Sequence, residues 1–241
     1  MTTLLALKAA DGIVIAADGV ANRPLWSPDG NRFTIHRPMD KAMVVGRDVL
    51  LAAAGSVPLI QAVHDAVEGA TREEDAEVEM VSALAAREMD RYAREADARY
   101  QRLHRTSSAG RAHAARILVG GITRGRTPTL KTVTRDAESA RVQEAPGAYV
   151  VISNSFPCTQ TLTDLAHRYH SADHSADAAL ALATGLLAAL PVPYFRGPVR
   201  AWTCTHSHPA GEARVAGRGQ SPLALALTRA FAPTLPVEVS P

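Results

Sequence analysis

Apolar residues along the chain come in short runs near the start and at helical steps further on. Leu4 to Leu7 and Ile13 to Ala17 flank an Asp11-Gly12 turn, which predicts a β-hairpin over the first eighteen residues. Ala42 to Val45 and Val49 to Ala54 flank Gly46-Arg47-Asp48 and predict a second hairpin. Between them, Gly19 to Pro38 carries Pro24, Pro28, Gly30 and a Ser27-Pro28-Asp29-Gly30 turn, and reads as a loop that either shapes a substrate pocket or forms a surface hairpin. Ser56 and Pro58 then open a helix running to about Glu68. From Ala76 to about Tyr100 a longer helix is predicted. Val78, Val81, Ala85, Met89, Tyr92 and Ala96 follow at steps of three or four, while Glu77, Arg87, Glu88, Arg91, Arg94, Glu95 and Arg99 make a solvated face.

The second half repeats this order. His104 to Ala115 reads as a basic connection, Arg116 to Thr123 and Thr129 to Thr134 as a strand pair around Gly125-Arg126-Thr127-Pro128, and Tyr149 to Ser153 as a further strand. Helices follow over about Thr159 to Tyr169 and Ser175 to Leu190, the latter so rich in Ala and Leu that it must be buried. A strand at Arg200 to Thr205 comes next, and Ser221-Pro222 opens a tail helix with Leu223, Leu227, Ala230 and Phe231 on one face. Strands and helices that arrive in groups imply an α+β class, two sheets covered by helices. At 241 residues and 46% hydrophobic content, one domain over 1–241 is expected.

Charge and composition remove several function classes. The 26 basic and 24 acidic residues leave +2, and aromatics make up 5%, so nothing broad points to nucleic acid or an anionic membrane. No run reaches the length of a membrane span, and the N-terminus lacks a charged segment leading into a long apolar one. Cys158 and Cys204 have no metal-type spacing, which suits a reduced cytoplasmic setting. Cys158 reads as a small hydrophobe at a helix start. His167, His170, His174, His206 and His208 have no acidic or thiol ligand set nearby in sequence, so no metal and no cofactor are expected.

Chemistry concentrates at the start. If Met1 is removed, Thr2 holds a hydroxyl and a free α-amine on one residue, a nucleophile beside a base whose unperturbed pKa is roughly 8. Thr3 is the rival nucleophile. Asp18 ends an apolar run and needs a cation if buried, and Lys41 supplies one. Gly55 closes Ala52-Ala53-Ala54-Gly55-Ser56, where the missing side chain leaves its N–H open to an approaching carbonyl.

Taken together, Thr2, Asp18 sixteen residues on, and Lys41 fourteen residues before Gly55 resemble the proteasome β-type subunits and bacterial proteasome-like proteins, within the N-terminal-nucleophile (Ntn) hydrolases. The resemblance covers about 2–205 and leaves 206–241 as a C-terminal extension. It implies a four-layer α/β/β/α sandwich and a threonine-type endopeptidase acting on peptide or unfolded protein. In that reading Thr2 attacks, Lys41 lowers the hydroxyl pKa, Asp18 orients Lys41, and Gly55 donates to the oxyanion. Ser153, in Ile152-Ser153-Asn154-Ser155, resembles a supporting catalytic Ser, and Ala21 and Ala53 fall at substrate-pocket positions. Exposure of Thr2 is expected to fall to a methionine aminopeptidase, since only Met1 precedes it. The resemblance further implies a ring-type homo-oligomer and leaves open a regulatory ATPase. Where relatives carry an Asp and a Ser before the last strands, Leu190 to Gly197 here has neither. The alternatives are an Ntn amidohydrolase or transpeptidase on another amide, and a non-catalytic ring subunit.

Overall fold

The computed structural model describes residues 3–26, 32–38, 40–71, 76–104, 115–136, 138–153, 156–190 and 198–213, with backbone only at 20–38 and 100–104. In chain order the elements are β1 (Thr3–Lys8), β2 (Gly12–Asp18), β3 (Val20–Trp26), β4 (Arg32–Pro38), β5 (Ala42–Val45), β6 (Val49–Gly55), α1 (Val57–Thr71) and α2 (Val78–His104). There follow β7 (Ala115–Ile122), β8 (Pro128–Arg135), β9 (Ala140–Glu144), β10 (Tyr149–Ser153), α3 (Phe156–Tyr169), α4 (Ala176–Ala189), β11 (Val199–Thr205) and β12 (Gly211–Ala213).

Two five-stranded antiparallel sheets form the centre. The first runs β10-β1-β2-β11-β12 and the second β5-β6-β7-β8-β9. Alternation along β1 shows why they stack. Leu5 and Leu7 pack with α3 and α4 residues such as Leu162, Leu165 and Leu186, while Leu4 and Ala6 turn to the other sheet and meet Leu50, Ala52 and Leu118. The outer face of the second sheet, with Leu51, Ala53, Ile117 and Val119, is covered by Leu59 and Val63 of α1 and Val81, Ala85 and Met89 of α2. The result is an α/β/β/α sandwich with three apolar layers. Every residue of β2 is buried, as expected of a strand covered on both faces.

Turn chemistry fixes the ends. The β1–β2 turn is tied to α4: Ser175 caps that helix by accepting the N–H of Ala178, and Asp11 Oδ1 accepts the N–H of Ala176 at 2.7 Å. Gly121 lies where the β5–β6 turn and α2 close on β7, and a Cβ there would stand 2.2 Å from the carbonyl oxygen of Asp48 and 3.0 Å from Val78.

Several boundaries differ from the sequence reading. Most of Gly19–Pro38 is a two-stranded ribbon, the hairpin alternative of that reading extended into regular strands, with Val20 opposite Pro38 and Trp26 opposite Arg32. Its prolines read as breakers, yet a ribbon strand has a neighbour on one side only and tolerates them. The Ser27 to Gly30 turn lies outside the described residues. β9 and β12 were not foreseen: both are short edge strands, and β9 is mostly exposed and so lacks the apolar alternation that marks a strand. β12 pairs with β11, so Gly211–Ala213, beyond residue 205, belong to the first sheet. The tail helix at Ser221 lies outside the described residues.

Gly121→Ala is expected to cost about 1–3 kcal/mol, because a backbone carbonyl must give way. Gly69→Ala in α1, with nothing within 4 Å of the added methyl, is expected to gain up to about 1 kcal/mol. Denaturant melts of the two variants against the parent check both signs.

Candidate active site at the open end of the sandwich

One row of residues crosses the end of the first sheet. Ser153 pairs with Thr3, Leu4 with Ala17 and Val199 with Asp18, so the register sets Ser153, Thr3, Asp18 and Val199 side by side on β10, β1, β2 and β11. The Thr3 N–H donates to Asp18 Oδ1 at 2.7 Å, and the Thr3 and Ser153 hydroxyl oxygens are 3.4 Å apart. Thr159 of α3 donates to the Ser153 carbonyl at 3.4 Å.

Lys41 reaches this row from the second sheet. It directly precedes β5 and is held there by the Ala53 N–H, which donates to its carbonyl at 2.9 Å. Its Nζ lies 2.6 Å from Asp18 Oδ1, with the two side chains 2% and 4% exposed. At this distance the contact is a close ion pair. Burial holds the Lys41 ammonium below the usual lysine value, against the pull of Asp18. Burial likewise pushes the Asp18 carboxyl up, opposed by Lys41 and the Thr3 N–H.

Linkage gives these shifts a stability sign. The raised Asp18 contributes stability at acid pH that is lost as pH rises through its folded pKa. The lowered Lys41 contributes stability at alkaline pH that is lost as pH falls through its own. Burial thus works against the charged form of both partners, and their mutual attraction works for it.

Gly55, at the end of β6 opposite Ala115, has φ of 131°, a backbone conformation that a side chain would strain. Gly55 and Ser153 both line a cleft of about 580 Å³, together with Ala54, Arg116 and Thr134 of the second sheet and Val150 to Ile152 of β10. Asp18, Lys41 and Ser153 are thus joined through the Thr3 backbone and side chain, and Gly55 shares the cleft with Ser153.

Thr2 lies outside the described residues, as do the side chain of Ala21 and residues 191–197. The Ala21 backbone sits in β3 opposite Arg37. Ala53 does not line this cleft: it is 1% exposed and packs under α1, on the face of β6 opposite to that of Ala52 and Ala54. Thr3, read from sequence as the rival nucleophile, is fully buried with its hydroxyl beside Ser153. Cys158 is buried near the start of α3, as a small hydrophobe there would be, and its thiol is held protonated by desolvation beside the Ser153 and Thr3 hydroxyls. The contact of Thr3 with Ser153 comes from strand register, which the sequence does not print. Among the described residues no cluster of His, Cys, Asp or Glu could hold a metal ion.

No family model matches the chain, and no curated protein matches it. Solved structures do. An Anbu Gly-1 mutant from Hyphomicrobium sp. strain MC1 is 16% identical with a TM-score of 0.65, covering 97% of this chain and 95% of the other. Anbu from Yersinia bercovieri, described as an ancestral β-subunit, is 13% identical at the same TM-score over 97% of each chain. A further Anbu structure from the Hyphomicrobium strain is 15% identical, again at 0.65, over 96% and 94%. The likeness is one of fold: the chain shares the four-layer α/β/β/α sandwich of these Anbu structures.

Lys41→Met is expected to destabilise by about 3–5 kcal/mol, because Asp18 is left buried without its cation. Adding Asp18→Asn should return most of that loss. Urea midpoints of the single and double variants measure it, and equal midpoints for the two would show the pair to be uncoupled.

Proposed function

We propose that the chain is an Ntn hydrolase of the proteasome-like kind, a threonine-type peptidase that uses Thr2 after loss of Met1. The observation that carries this reading is the buried Lys41–Asp18 pair, which touches the backbone of Thr3, one residue from the nucleophile. Covalent geometry alone keeps neighbouring Cα atoms about 3.8 Å apart. In this mechanism the Thr2 hydroxyl oxygen bonds to the peptide carbonyl carbon while its proton passes to the Thr2 α-amine. The tetrahedral oxyanion is met by the Gly55 N–H, whose lack of a side chain leaves the approach open. As the C–N bond breaks, the ammonium returns the proton to the leaving amine. Water then hydrolyses the ester and frees Thr2.

Lys41 acts by charge on the hydroxyl, Asp18 orients it, and Ser153 supports the row from β10. Ala21 and Ala53 remain proposed substrate-pocket residues, Ala53 from beneath β6. Substrates are peptides or unfolded protein, in a cytoplasmic setting, within one domain. That two free cysteines are buried and no described helix is long and apolar enough to cross a membrane fits this setting. One observation favours a second reading, a non-catalytic subunit of an assembly: Leu190 to Gly197 lacks the Asp and Ser that the resemblance leads one to expect.

An electrophilic probe selective for N-terminal threonine decides between the two. One probe mass should add to the parent chain, none to Thr2→Ala, and little to Lys41→Ala; absence of any adduct on a chain that has lost Met1 would leave the non-catalytic reading. The pH profile has a worked sign. The Thr2 amine must be neutral to accept a proton, so activity falls on the acid side. Lys41 must be charged, so activity falls again as pH rises through its lowered pKa, earlier than for an ordinary lysine.

Self-association into a ring-type homo-oligomer is proposed as well. Repeated heterologous contacts close into rings when the rotation allows, and Phe156, 80% exposed at the start of α3, with Val57 and Tyr169 about half exposed, offers apolar contact surface. Light scattering coupled to size exclusion at micromolar concentration should show a dozen or more subunits, on the order expected of stacked rings. A stable monomer would remove the assembly.

A further inference from the structure

The cleft has a second wall that the hydrolase reading does not use. Arg116 and Thr134 are cross-strand partners on β7 and β8, and Thr132 follows two residues along the same face. That face holds Leu118 and Leu130 deeper in the inter-sheet layer, so the three polar side chains line its open end. Neither threonine hydroxyl has a hydrogen-bond partner among the described residues, and Arg116 is exposed without an ion partner there. The other arginine of the lining, Arg135, is held by Asp90 at 3.1 Å, and no carboxylate lines the cleft among the described residues. The uncompensated charge of this wall is therefore one guanidinium flanked by two hydroxyl donors.

The opposite wall is main chain. Val150, Val151, Ile152 and Ser153 all line the cleft, although successive side chains of a strand point to opposite faces. Contact with four consecutive residues is contact with a strand edge. Among the described residues β10 has one neighbour in its sheet, β1, so alternate N–H and C=O groups point away from the sheet. No turn, loop or side-chain hydrogen bond among the described residues takes up those of Val150, Val151 or Ile152.

We propose that the cleft binds an extended peptide segment bearing a carboxylate, its backbone added to the free edge of β10 and its carboxylate on Arg116, Thr132 and Thr134. This rests on the hydrolase reading for its biological sense, naming acidic peptides as the substrate class, and stands on the cleft alone for its chemistry. Strand addition supplies affinity through main-chain bonds, and a guanidinium in a concave site supplies the charge preference.

The test uses full-length Thr2→Ala protein, so that no probe is consumed. Fluorescently labelled heptapeptides of alternating Thr and Val, blocked at both ends and differing only in a central Glu, Gln or Lys, are titrated by anisotropy. The Glu peptide is expected to bind about five- to tenfold tighter than the Gln peptide. That preference should vanish in Arg116→Gln, persist in Arg116→Lys and pass to the Lys peptide in Arg116→Glu, all with parental melting curves. N-methylation of alternate amides in the Glu peptide should weaken it at least tenfold in one of the two phases, as strand addition demands. Equal binding of the three peptides, no binding at millimolar concentration, a preference that survives Arg116→Gln, or indifference to N-methylation in both phases would each overturn the proposal. Binding with the expected preference by a chain whose unsubstituted form cuts nothing would instead end the hydrolase reading and leave the cleft assignment standing.

Discussion

An ion pair that joins the two sheets is the constraint on which this structure turns. Asp18 ends a strand of one sheet and Lys41 opens a strand of the other, and their charges meet at 2.6 Å with almost no water. Two desolvated charges repay their burial only when their geometry is held closely. The hold comes from both sides: Ala53 fixes the Lys41 carbonyl, and Thr3 gives its N–H to Asp18. Sliding one sheet over the other would separate the charges before it broke any strand pairing. The position of the reactive end is thus tied to the inter-sheet core, and residues as far away as Ile13 and Leu118 help set a distance at Lys41.

That core is thin by design of its side chains. Gly120 faces Ile13, where a Cβ would come within 2.8 Å, and Ala6, Ala17, Ala52 and Ala54 fill much of the same layer. Small residues let β7 approach β2 closely. A closely packed layer shears with difficulty, which is what the charge pair requires.

Much of the architecture was legible because its elements obey local rules. β1 and β2 announce themselves by an Asp-Gly turn between apolar runs, α2 by its steps of three and four, and α4 by Ser175 before a run of Ala and Leu. What stayed hidden depends on neighbours rather than on sequence. β9 and β12 are strands because an established edge templates them, and their own residues carry little apolar signal. The ribbon of β3 and β4 was legible only as one of two alternatives, because its prolines, which a single pairing tolerates, also read as loop. At the site, Asp18, Lys41, Gly55 and Ser153 were reachable by their spacing. The contact of Thr3 with Ser153 and the Arg116 wall were not, since only register places Thr3 beside Ser153 and Arg116 beside Thr134. Ala53 shows the converse: a spacing argument names the position, and strand alternation decides which face it serves.

The ribbon leaves the first sheet just after Asp18 and returns just before Lys41, and its feet are closed by the pairing of Val20 with Pro38. A hairpin closed at its base passes no length change to what lies below it. The chain between the two charged residues is therefore a modular outgrowth whose tip can lengthen, shorten or change composition while the anchor points keep their separation. Such a segment is free to diversify as a recognition arm over an unchanging base, and its foot marks a natural place to graft a foreign hairpin.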